Sequence, residues 1–92
     1  MIIRNLIKRS VLELKKSGIQ TAELDVKVLL SAALDKDSVY VITHFDELLT
    51  NREYLKFRKY MRLRKKHLPV AYILGHKEFY GHNFLINRNV LI

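Results

Sequence analysis

The 92-residue chain contains no cysteine, one proline and three glycines. The missing cysteines exclude a disulfide scaffold and any thiolate zinc site, and they fit a reducing compartment. The histidines His44, His67, His76 and His82 have no paired metal-ligand spacing, so they read as surface or turn residues rather than as a metal site. Ser10, Ser17, Ser31 and Ser38 lack any surrounding nucleophile motif, which leaves covalent catalysis without a candidate. No apolar run approaches the roughly 18 residues that a bilayer span needs. The start, Met1-Ile2-Ile3-Arg4, lacks the basic-then-apolar order and small-residue cleavage site of a secretory signal. A cytoplasmic protein with no membrane partner is expected.

What the chain has in excess is positive charge, and that charge is unevenly spread. Residues 1–49 carry seven Lys/Arg and seven Asp/Glu, which cancel, whereas residues 50–67 carry eight basic residues against Glu53 alone. Nearly all of the net +8 therefore belongs to one segment. Hydrophobic residues make up 49% of the chain and are well mixed with charged ones, which is the composition of a folded domain and not of a disordered tail. A single domain of this size buries only about 60% of its unfolded surface, and a helical bundle is the economical way to do so.

Apolar periodicity predicts the elements. Ile3, Leu6, Ile7, Val11 and Leu14 recur at helical spacing over about Ile2 to Lys16, and Lys15, Lys16 and Gly18 suit the closing end. Thr21 offers an N-cap for a second helix through about Leu34. Asp37 or Ser38 caps a short third helix over Val39 to His44, despite its β-branched residues. Thr50 and Glu53 form a capping box for a fourth, in which Tyr54, Phe57, Met61 and Leu68 share the side expected to face the core. Arg52, Lys56, Lys59, Arg62 and Lys66 fall on the opposite side, with Leu55 and Leu63 among them. Pro69 suits the start of a fifth helix over Val70 to Leu74, ending at Gly75. Glu78-Phe79-Tyr80 and Phe84-Leu85-Ile86 then flank Gly81-His82-Asn83, the composition of a hairpin between two short strands. The expected fold is mainly α, a small bundle of about four to five helices over residues 1–75, followed by a C-terminal β-hairpin linker over 76–92. The dense apolar finish at Val90-Leu91-Ile92, with no polar tail, reads as a junction cut through.

Pro69, Ala71, Tyr72, Ile73, Gly75, Glu78 and Phe79 reproduce, in type and spacing, the Pro-x-Ala-Tyr-Ile-x-Gly-x-x-Glu-Phe signature of the HemK/PrmC family. Leu91-Ile92 matches the first two positions of that family's Leu-Ile-Pro-Arg-Pro segment, and Ala22-Glu23-Leu24-Asp25 followed by Leu29-Leu30 is similar to its second helix. The departure is His67-Leu68, where the family usually has Gly-Glu. The resemblance implies the N-terminal domain of a methyltransferase that modifies the glutamine of the Gly-Gly-Gln motif in class I peptide chain release factors, using S-adenosylmethionine. The family's glycine-rich cofactor motif and its Asn-Pro-Pro-Tyr motif do not occur here, so no catalytic, cofactor-binding or metal residue is carried over. The full-length parent is expected to be the enzyme, with its own catalytic domain beyond residue 92, and the present residues are not.

Two groups remain as candidate sites. Arg52, Lys56, Lys59, Arg62 and Lys66, with Leu55 and Leu63, form a stripe suited to a negatively charged partner, a release factor or the ribosomal RNA that such a factor meets. The alternative is ordinary solvated surface whose last cations, Arg64, Lys65 and Lys66, favour the negative end of the helix. Tyr72, Phe79, Tyr80, Phe84 and Leu91 are expected to pack at the domain junction. A small basic nucleic-acid-binding module competes with the recognition-domain reading on charge alone, without a stacking strand motif to support it. A purely structural domain that orients the catalytic one is the third reading.

Overall fold

The computed structural model describes residues 1–75, and within them the chain forms five helices: α1 (Ile3–Lys16), α2 (Ala22–Leu34), α3 (Ser38–Thr43), α4 (Asn51–Lys65) and α5 (Val70–Leu74). Among the described residues there is no strand, only an isolated antiparallel bridge between Ile2 and Leu48. The hairpin expected over 76–92 lies outside them.

The centre of the bundle is α2, which packs against each of the other four helices. Its apolar residues point almost all round: Ala22, Val26, Leu29, Leu30, Ala33 and Leu34 are buried. A helix apolar on most of its circumference is stable only when surrounded. Ile3, Leu6 and Leu14 of α1, Phe57 and Met61 of α4, and Ile73 and Leu74 of α5 complete the core, with Ile7, Val11, Tyr54 and Leu68 partly buried against it. Ser10 is buried on the same α1 stripe, where its hydroxyl finds no partner among the described residues.

The helix ends show how local chemistry fixes the connections. The Thr50 hydroxyl accepts the Glu53 N–H at 3.1 Å while the Glu53 carboxylate accepts the Thr50 N–H at 2.9 Å, the full capping box. Asp37 caps α3 by accepting the Tyr40 N–H at 2.9 Å, so that helix begins at Ser38, one residue before the expected start. Thr21 precedes α2 but does not cap it; its hydroxyl donates instead to Asp25 at 2.8 Å. Gly18 closes α1 at φ +84°, a left-handed conformation that glycine takes without a Cβ clash. The start of α1 has no side-chain cap. The backbone ahead of α4 serves it: Ile3 and Arg4 donate to the Glu47 and Phe45 carbonyls at 3.0 and 2.9 Å, and Leu49 donates back to the Met1 carbonyl at 3.1 Å.

One polar cluster lies inside. Asp25 accepts from Arg64 Nε at 2.9 Å as well as from Thr21, and Arg64 Nη1 donates to the Leu68 carbonyl at 2.8 Å. The pair is nearly dry, with the Arg64 and Asp25 side chains 16% and 8% exposed. Immediately beyond α4, His67 sits at φ +68°. Its ring Nε2 lies 2.8 Å from the Ser17 carbonyl oxygen, which can only accept, so Nε2 carries the proton. A bond across to the end of α1 thus offsets part of the left-handed strain, which costs about 1 kcal/mol for a non-glycine residue.

Two stability predictions come from this cluster. Arg64→Ala leaves a desolvated carboxylate without its cation and should cost about 3 kcal/mol or more in urea unfolding; a loss below about 1 kcal/mol would show that the pair contributes no more than a surface bridge. At position 67, both His67→Ala and His67→Gly lose the bond to Ser17, but only alanine keeps the left-handed strain. The glycine variant should therefore be the more stable by about 1 kcal/mol, and equal midpoints would mean the turn relaxes.

Candidate partner-binding face

The sequence gives α4 eight cations with its flanks, and the fold sorts them into two sets. Arg58, Arg64 and Lys65 point back toward the neighbouring helices. Arg58 Nη1 donates to Glu13 of α1 at 2.9 Å, Lys65 Nζ lies 3.9 Å from the same carboxylate, and Arg64 holds Asp25 of α2. Arg52, Lys59, Arg62 and Lys66 are exposed and Lys56 is half-buried, and none of these five has a carboxylate partner among the described residues. The structure therefore brings the sequence-predicted stripe together on one side of one helix.

The two leucines in that stripe separate. Leu55 is 66% exposed, between Arg52 and Lys59 at helical spacing, whereas Leu63 is half-buried and packs against the core. Tyr72, on α5, is exposed. Phe79, Tyr80, Phe84 and Leu91 lie outside the described residues. The opposite flank of α4 buries Tyr60, which apolar periodicity alone passes over; burial pushes its phenol above the ordinary tyrosine value. Arg58 and Arg64 are the residues that sequence reasoning left out of the architecture. Their spacing on α4, between the core side and the stripe, is the signal that marks such flanking cations as partners for neighbouring helices.

Among the described residues, Gly18 closes α1 and Gly75 follows α5 in a right-handed conformation at φ −66°, and neither opens a helix after a strand. These residues do not fit S-adenosylmethionine, and no group of three His, Asp or Glu side chains comes together there as a metal would need. No helix of the described residues is long and apolar enough to cross a membrane.

The Arg58 guanidinium beside Glu13 holds that carboxyl below its usual value. A carboxylate depressed in the folded state adds stability that is full above the unfolded value, about 4.3, and is lost as pH falls through the lower folded one. Glu13→Gln removes this titration. The stability gap between wild type and Glu13→Gln, measured by urea unfolding, should therefore be largest near neutral pH and shrink toward pH of about 3; a gap independent of pH would show that Glu13 acts through packing alone.

The family described as PrmC N-terminal domain matches residues 5–75, nearly the whole described bundle. A release factor glutamine methyltransferase of Clostridium botulinum is 37% identical over 92 residues, covering 100% of this chain and 32% of the relative. One from Leptospira interrogans is 39% identical over 90 residues, covering 98% of this chain and 32% of its own length. A bifunctional methyltransferase of Rickettsia felis is 37% identical over 90 residues, 98% of this chain and 17% of that protein. The chain thus spans about a third or less of the relatives that it matches. No solved structure gives a significant match. With the match running from the first turn of α1 through Gly75, just past α5, the chain belongs to the PrmC N-terminal domain family.

Proposed function

We propose that this chain is the non-catalytic, substrate-recognition part of a protein-(glutamine-N5) methyltransferase that acts on the Gly-Gly-Gln glutamine of class I peptide chain release factors. In this reading residues 1–75 grip the protein substrate, and residues 76–92 lead toward a catalytic domain that binds S-adenosylmethionine. Relatives named as release factor glutamine methyltransferases support the substrate class. The observation that carries the gripping role is the stripe on α4: five cations without a carboxylate partner among the described residues, beside an exposed leucine.

The physical logic is that of remote binding. Transfer of a methyl group to an amide nitrogen requires the glutamine to be held in line with the donor, and contacts far from the reacting atoms supply free energy for that alignment. Exposed like charges serve this well, because they raise the encounter rate with an oppositely charged surface. A nucleic-acid module would use the same charge.

Reversing the stripe tests the proposal. In the enzyme carrying this domain joined to its catalytic domain, Lys56→Glu with Lys59→Glu should slow methylation of the release factor by about tenfold or more in kcat/KM, with affinity for S-adenosylmethionine unchanged. Unaltered kinetics would show the stripe to be ordinary surface.

A further inference from the structure

The sequence places nearly all of the surplus charge on α4 and its flanks, because the charges of residues 1–49 cancel. In space they do not cancel where they matter. Glu13 is the single acid of α1, and it is taken up at the α1/α4 seam by Arg58 and Lys65. Asp25 is buried against Arg64, Asp46 pairs with Arg4 at the N-terminal end of α1, and Glu23 lies 3.9 Å from Lys15. Asp35 and Asp37 lie in the turn from α2 to α3. Lys8, Arg9 and Lys16 on α1 are exposed, with no carboxylate partner among the described residues.

Helical spacing joins these to the stripe. Arg9 and Lys16 are four residues before and three after Glu13, so they flank the seam on its α1 side; Arg9 also acts electrostatically on the Glu13 carboxyl. Arg62 is four residues after Arg58 and three before Lys65, and flanks the seam on its α4 side. Between the two flanks lies one carboxylate with two cations upon it. Among the described residues, the positive surface therefore runs across the seam with Glu13 as its one acid, offset by two cations, while Glu53 at the start of α4 is engaged in the capping box with Thr50. It carries an apolar contact on each helix: Leu12, 59% exposed among Lys8, Arg9, Lys15 and Lys16, and Leu55 among Arg52 and Lys59.

We infer that α1 and α4 together form one cationic docking face, centred on their seam, that takes an acidic protein surface offering two apolar sockets, for Leu12 and Leu55. Charge complementarity selects the acidic partner, and the leucines select protein over nucleic acid, because a phosphate backbone gives an exposed leucine nothing to bury against. The tyrosines of α4 also point away from this face: Tyr54 is partly buried against the core and Tyr60 is buried, so among the described residues α4 offers no aromatic platform there on which bases stack. The inference rests on the release-factor reading above and adds α1 to it.

The test separates the two claims. The chain is titrated with a class I release factor by fluorescence anisotropy at low salt, as wild type, as Arg9→Gln with Lys16→Gln, as Lys59→Glu with Arg62→Glu, and as Leu12→Gln, each checked for helicity by circular dichroism. Glutamine keeps helix propensity, so the α1 substitutions remove charge without unfolding the helix. The α1 pair is expected to weaken binding by about fivefold, the α4 pair by about tenfold or more, and Leu12→Gln by about threefold, with a generic RNA duplex failing to compete. If the α4 pair weakens binding while the α1 pair and Leu12→Gln bind as wild type, docking is confined to α4; the inference is then overturned and the release-factor reading stands. If wild type does not bind the release factor, both fall. If RNA duplex displaces the release factor at matching concentration, the face is a polyanion site and the inference is overturned on partner class.

Discussion

Most of this bundle turns on one buried ion pair. Asp25, in the first turn of the central helix, and Arg64, in the last turn of α4, meet at 2.9 Å with little access to water. Each is placed where a helix favours its sign, the acid at a positive end and the cation at a negative one. Burying two charges is costly unless their remaining hydrogen-bonding groups are also met. Here Thr21 donates to the carboxylate and the Leu68 carbonyl takes a guanidinium N–H. That last bond extends the pair's reach, because Leu68 immediately precedes Pro69 and the start of α5. A single side chain therefore links α2, α4 and the place where the chain turns into its final described helix.

The pair also bears on the outer surface. Together with Arg58 and Glu13, it divides the cations of α4 between neighbours and solvent. The inner cations meet the carboxylates of α1 and α2 that would otherwise weaken the positive potential outside. A helix with one acidic residue and eight basic ones in and beside it repels itself along its length, and pairing three of the eight moderates that repulsion. The five that remain outside, like Lys8, Arg9 and Lys16 of α1, have no carboxylate partner among the described residues.

Much of this was legible beforehand, and the rest was not for identifiable reasons. Periodicity and caps place α1, α2, α3 and α5 to within a residue or so and fix the start of α4, because amphipathic spacing and the Thr50–Glu53 box are written locally, while Leu68, expected on the core side of α4, lies three residues past its end. Thr21 stands at the N-cap of α2, but its backbone lies at φ −93° and ψ 27° instead of the extended conformation in which a capping hydroxyl reaches the free N–H groups, so it makes no side-chain cap, and its hydroxyl donates to Asp25 one helical turn along. Tyr60 was missed because its burial depends on the flank that α4 presents to its neighbours, which a single-helix wheel does not contain. The same limitation hid the roles of Arg58 and Arg64: in the sequence they are two more cations in a basic run. At His67-Leu68, where the family usually has Gly-Glu, the left-handed φ of His67 shows that the turn keeps the backbone glycine would prefer. The ring bond to Ser17 is a long-range compensation that no local pattern announces.

The stitch between the start of the chain and the backbone ahead of α4 has a consequence for the order of assembly. Met1, Ile3 and Arg4 are bonded to residues 45, 47 and 49, so the first turn of α1 completes its hydrogen bonding only when more than half of the described chain has come round to meet it. Closing a loop of that span costs entropy that grows slowly with length but must be met before the contacts form. The interior turns of each helix can form on local terms; this seam cannot. It ties the first residues to the threshold of the basic helix, so fraying at the very beginning of the chain is felt where α4 starts.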